Sequence, residues 1–388
     1  MQLYQRRRDE SLQNCKARRP RLRVDCRSGT FHYKAKAAHT LKLFSAAGLI
    51  TLMSAAAYCA LAPVSRAADA PSPYRISKSI SLGAPERWDY LTYEPASNRV
   101  FVAHGDRIDV IDVSSEKVVG QVAVDGANGA AVIPAIGKGY AGSRAGKSVV
   151  VFDLNTFKVL KTLPAAEDTD AVVYDPASKH VFLMQGDPHS MTVIDTITDS
   201  VVATIHLGGQ PEFAAVDGAG KLFVNIEDKS EIQRVDTKTG KVDATWPIPA
   251  CDSPHGLAID VTSHRLFSSC VNSKLLVVNA TTGAVVSTLP IGKRTDAAAY
   301  DSRTKRVFSS NGDGTLSVIQ QERADQYRSL GDVPTQLGAR TMALDAKTGR
   351  IFLVTGDYTE VDPNASDPRK RYAVKPGSAR MLLVDAAQ

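Results

Sequence analysis

The stretch "TDAVVYDPASKHVF" (Thr169–Phe182) returns almost unchanged as "TDAAAYDSRTKRVF" (Thr295–Phe308), 126 residues later. That interval is three times 42, and related phrases stand at the intermediate phases and beyond them. "WDYLTYEPASNRVFV" begins at Trp88, "NGAAVIPAIGKGYAG" at Asn128, "PEFAAVDGAGKLFVN" at Pro211, "PHGLAIDVTSHRLFS" at Pro254 and "ARTMALDAKTGRIFL" at Ala339. Seven copies of about 40 to 44 residues signal a repeat architecture, whose units bury their apolar faces only against one another.

Each copy holds four short apolar runs separated by turn residues. In the third they are "DAVVYD", "HVFLMQ", "MTVID" and "SVVATIHLG", all of strand length and rich in Val, Ile, Thr and aromatics. Four strands per repeat make one antiparallel sheet, and runs apolar on both faces require neighbours on both sides. The expected fold is all-β, a seven-bladed β-propeller of four-stranded antiparallel blades. The first run of each copy is small ("GAAVI", "DAVVY", "FAAVD", "GLAID", "DAAAY"), as an innermost strand crowding a channel requires. The last copy supplies only three runs before Gln388, whereas "ISKSISLG" (Ile76 to Gly83) matches the fourth-run endings "ATIHLG" and "STLPIG". The N-terminal strand is therefore expected to close the last blade and remove an exposed edge.

The formal charge of +6 suggests nucleic acid until it is divided along the chain. Residues 1–67 carry 13 Lys or Arg against 3 Asp or Glu, leaving 34 basic and 38 acidic residues in the remainder. The repeats are acidic, which disfavours phosphate; only "DPRKRYAVK" (Asp367 to Lys375) offers a basic patch. Residues 1–67 read as a basic leader and secretory signal. An apolar run from Leu43 to Leu61 follows Lys34, Lys36 and Lys42, with Ser65 and Ala67 before a cut ahead of Ala68. An uncleaved anchor is the alternative, since the run is nearly long enough to span a bilayer. The expected location is periplasmic or secreted, for a monomer touching membrane only through that leader. Beyond the leader only Cys251 and Cys270 remain, placed before the first and at the end of the second strand of blade five. A disulfide between them suits that geometry and an oxidising compartment.

Most carboxylates have turn duties. Glu94, Asp175, Asp217, Asp260, Asp301 and Asp345 end first strands, and Asp112, Asp153, Asp195, Asp236 and Asn279 end third strands before hairpin turns. Another series does not fit turn chemistry. At the start of the first strand the copies read Asp89, Gly129, Asp170, Glu212, His255, Asp296 and Arg340. In a propeller these positions converge on the channel mouth, either as backbone caps or as a polar site for a small molecule or protein partner. Loops between second and third strands bring His104, Asn272 and Asn311 to the same face, together with Asp106, Arg144, Asp187, His189, Asn225 and Asp313. Blade seven replaces that loop with "GDYTEVDPNASDPRKRYAVKPGSA" (residues 356–379), a candidate lid or partner contact.

Over about residues 74–388 the chain resembles the YncE-like, YVTN-repeat family of seven-bladed propellers. The carriers are "VIDTITDSVVATIHLG", "VFDLNTFKVLKTLP", "CDSPHGLAIDVTSHRLFSSCVN" and "TDAAAYDSRTKRVFSSNGDGTLSVI"; the family tetrapeptide survives only as "LFVN", "VFVA" and "VFLM". The resemblance implies an extracytoplasmic, non-catalytic binding or scaffold propeller. No G-x-S-x-G, P-loop, zinc-spaced cluster or Rossmann fingerprint stands in the sequence. The competing expectation is a lactonase-, cyclase- or lyase-like enzyme with His255 as general base, Glu212 as its partner and Arg340 as anchor. A divalent cation held by Asp89, Asp170, Glu212 and Asp296 belongs to that alternative.

Overall fold

The computed structural model describes residues 73–387. The expected leader, residues 1–67, lies outside the described residues. Six blades are continuous four-stranded antiparallel meanders, with first strands beginning at Leu91, Ala127, Thr169, Pro211, Pro254 and Thr295. The seventh combines Met342–Asp345, Arg350–Thr355 and Ala379–Ala386 with the N-terminal strand Tyr74–Gly83. That strand runs antiparallel to Ala379–Ala386, from Tyr74 opposite Ala386 to Gly83 opposite Ala379. The ring is closed as the sequence requires, and no helix among the described residues is long and apolar enough to cross a membrane.

Seven apolar clusters occupy the seven spaces between blades. Phe101, Ile108 and Phe152 fill the space between blades one and two, and Phe182, Met191 and Leu222 that between three and four. Ile80, Val100, Phe352 and Met381 join blades seven and one. Side chains on both faces of each sheet are thus buried, which is why the runs do not alternate with polar residues. Burying a Leu, Phe or Met side chain contributes about 1.5–3 kcal/mol, so the interfaces between sheets rather than the separate sheets hold the ring. Gly256 marks how close the inner strands come: a Cβ there would stand 2.3 Å from the Ala298 backbone nitrogen in the next blade.

Both turn series act as read. Glu94 accepts from the Ala96 and Ser97 amides, and Asp301 from that of Arg303. At third-strand ends Asp153 accepts from Thr156, Asp195 from Thr198 and Asn279 from Thr281. These bonds satisfy turn amides at strand ends; the series at first-strand starts, Asp89, Asp170, Glu212, His255, Asp296 and Arg340, has no such turn to cap.

Candidate functional site

In blades two to six the first strand enters at the channel mouth with a register shift against the second strand. The shift falls between Thr169 and Val172, Pro211 and Ala214, Pro254 and Leu257, and Thr295 and Ala297. Asp170, Glu212, His255 and Asp296 all sit inside these bulges. A bulge leaves a residue out of the ladder and re-aims its side chain, here toward the axis.

The aimed side chains meet. His255 Nδ1 lies 3.3 Å from Asp296 Oδ1 and 3.5 Å from Glu212 Oε1. Its Nε2 lies 3.3 Å from Ser253 Oγ and 3.5 Å from Glu227 Oε2. Arg340 Nε stands 3.2 Å from the other oxygen of Asp296, and the Tyr90 hydroxyl donates to Glu212 Oε1 at 3.4 Å. Blade two has Gly129 at this position, and Asn128 fills the gap. It accepts from Arg87 Nη2 at 3.1 Å and donates to Asp170 Oδ1 at 3.2 Å.

These groups shift one another's ionisation. Burial works against a charged His255 ring, but hydrogen bonds to Asp296 and Glu212 overcome it and push its pKa up to about 11. Burial raises Asp89 to about 7, reinforced by Asp296 and Glu212 and opposed by Arg340. Asp170 is held well above the carboxylate range by burial, then by Glu212 and Asp89. For Asp296, burial is outweighed by Arg340 and His255, and its pKa falls. The site thus divides into an imidazolium–carboxylate–guanidinium chain and two carboxylates that ionise reluctantly.

One position deeper the inner residues are small in most blades (Ala130, Ala171, Gly256, Ala297, Thr341), with two aromatic exceptions. Tyr90 of blade one and Phe213 of blade four meet across the channel with ring centroids 4.6 Å apart. This aromatic pair lies one residue deeper than the ring of charged side chains, hereafter the cup. The insertion of blade seven folds into a small hairpin, Tyr358–Glu360 paired with Tyr372–Val374. It is tied down by Asp357 to Arg380 at 2.6 Å, and by the Gly377 amide to Glu86 at 2.8 Å. Tyr358 is packed against Gly338, and Arg340 and Arg294 act on it electrostatically, which puts the base of the hairpin beside the cup.

The structure brings Asp89, Asp170, Glu212, His255, Asp296 and Arg340 together and, of the three loop candidates, encloses His104 and Asn311. His104 is wholly buried, its Nδ1 2.5 Å from Asp109 and its Nε2 2.7 Å from the Pro85 carbonyl. Asn311 is also buried and donates to Thr315 and Ser317 hydroxyls at 3.0 Å. Asn272 donates to the Ala250 carbonyl at 3.1 Å. His104 and Asn311 end second strands, where the ladder and the neighbouring loop enclose them. The expectation that they face the opening therefore does not hold. Sequence reasoning missed Glu227, which lies in a turn, and Tyr90 and Phe213, whose signal was bulk in a series of small residues. Cys251 and Cys270 are bonded, Cα atoms 5.2 Å apart, with Pro254 paired to Cys270 in the ladder, one residue from His255.

No protein-family model matches the chain. It is 24% identical over 183 residues to the uncharacterized protein YncE of Salmonella typhi and, equally, of Salmonella typhimurium strain LT2. The alignment takes in 43% of this chain and 52% of each relative, so the chain spans about half the length of the curated relatives it matches. In structure the chain is similar to a chain of Kuenenia stuttgartiensis hydrazine synthase, with a TM-score of 0.62 and 16% identity over 77% of this chain and 98% of that one. That likeness is one of fold alone, and both findings agree with a YncE-like propeller.

Proposed function

We propose that this chain is an extracytoplasmic, non-catalytic binding propeller that takes a positively charged ligand in the cup at its channel mouth. One observation carries the reading. Five carboxylates, Asp89, Asp170, Glu212, Glu227 and Asp296, gather at the cup, against Arg340 and His255 among them and Arg87 and Arg144 acting on Asp89 and Asp170. Carboxylates forced together in a half-buried space lose hydration and repel one another, and a bound cation relieves both costs. The basic, apolar leader sequence supports an extracytoplasmic location.

The competing enzyme reading needs His255 to abstract a proton. Enclosed by Glu212, Asp296 and Glu227, the ring stays an imidazolium at neutral pH and has no lone pair to accept one. This favours binding over base catalysis.

Thermal shift of the purified chain with tetramethylammonium, spermidine and guanidinium tests the reading. At least one cation is expected to raise Tm in wild type and to lose that effect in the Asp89→Asn/Asp170→Asn double variant. A wild type indifferent to every cation overturns it, as does a double variant that responds as wild type does.

A further inference from the structure

Within the cup, Glu212, His255 and Asp296 occupy the same position of blades four, five and six, and their ligand atoms all lie within 4.8 Å of one another. As a hydrogen-bonded group they are poorly matched. The His255 Nδ1 carries at most one hydrogen, yet two acceptors face it at 3.3 and 3.5 Å, beyond the usual 2.7–3.2 Å range. As ligands to an ion they are well matched: with bonds of about 2.0–2.2 Å, neighbouring ligand atoms of a tetrahedral centre stand about 3.3–3.6 Å apart.

We propose that Glu212 Oε1, His255 Nδ1 and Asp296 Oδ1 bind a divalent first-row transition ion such as zinc, its fourth position open to the cup, the ion displacing the Nδ1 proton of the imidazolium to solvent as it enters. The proposal rests on the cationic reading of the cup and narrows it. One imidazole nitrogen with two carboxylate oxygens suits zinc, manganese or iron(II), whereas calcium and magnesium prefer oxygen alone. Each ligand also has the outer partner that metal sites use to fix ligand orientation. Glu227 and Ser253 stand at the far nitrogen of His255, Tyr90 donates to Glu212, and Arg340 holds the other oxygen of Asp296. The ion differs from the sequence expectation in its donors: His255 takes part, and Asp89 and Asp170 do not.

The test is calorimetric titration of metal-stripped protein with Zn²⁺, with Co²⁺ absorption as a second readout. Wild type is expected to bind one equivalent and to give the visible bands of a low-coordinate Co²⁺ site. His255→Ala is expected to abolish both. Glu227→Gln keeps every ligand and is expected to weaken Zn²⁺ by about 10–100-fold, which a merely structural cluster would not show. The proposal is overturned if wild type shows no saturable binding, or if a folded His255→Ala or Glu212→Gln/Asp296→Asn variant binds as wild type does. Organic cations that bind while zinc does not remove the metal and leave the acidic cup; failure of both removes the cup as well.

Discussion

Asp89 has no hydrogen-bond partner for its carboxylate among the described residues; burial raises its pKa, with Arg340 and Arg87 opposing and Asp296 and Glu212 adding to the rise. An acid whose pKa rises on folding, here from 3.8 to about 7, stabilises the protein most when protonated. Its contribution is complete below about pH 4 and is lost as pH climbs to about 7. His255 acts in the same sense at higher pH, from about 6.5 through about 11. Asp296, with its pKa lowered, acts oppositely and only on the acid side, as pH falls below its ordinary 3.8. Metal-free wild type is therefore expected to lose Tm between pH 4 and 7, and Asp89→Asn to flatten that decline. Parallel melting curves for the two proteins would show that Asp89 titrates as an ordinary carboxylate.

Among the elements, blade five carries the most. Its first strand delivers His255, its second ends at Cys270, and the disulfide fixes the loop that leads to Pro254. Closing a loop of 19 residues restricts the unfolded chain by roughly 3 kcal/mol in the chain-entropy account. Cys251→Ala/Cys270→Ala is expected to lower unfolding free energy by about that amount in urea melts, and to weaken cation binding because the His255 loop loses its tether. Unchanged stability in the double variant would place the constraint elsewhere in the blade. The pairing was legible in the sequence because one cysteine just precedes the first strand of the blade and the other ends the second, which runs antiparallel beside it. The bulges beside them were not. Their effect on His255 and Asp296 depends on register, and one alternation rule describes a strand with or without an extra residue.

For the whole molecule, the repeat revealed what the blades share: seven sheets, small inner strands, capped turns and an N-terminal closing strand. It was silent on what only particular blades do. The meeting of Tyr90 with Phe213 joins blades one and four, and no spacing along the chain records a contact across a ring. His104 and Asn311 were misplaced for a related reason, since the pattern locates a strand end without saying which side is covered. Closure gives the test at this scale. A chain beginning at Leu82 would leave Ala379–Ala386 as an unpaired apolar edge, and aggregation with a lower Tm is the expected result. A monomer melting as the longer chain does would contradict the ring's dependence on that strand.

The same closure sets an order in time. Ser77 bonds to Leu383, 306 positions further along, so the first of the described strands waits for the last of them. At about 5–20 residues per second the ribosome takes about 15–60 s to supply the partner. Through that interval Tyr74–Gly83 is a β-prone segment with no sheet to join. Its composition suits the wait: Arg75, Ser77, Lys78, Ser79 and Ser81 interrupt the apolar residues and face solvent in the finished ring. Charge and serine keep a nascent strand from pairing with strangers. What looks in the folded protein like an ordinary polar face is, during synthesis, the means by which Tyr74–Gly83 stays available for Ala379–Ala386.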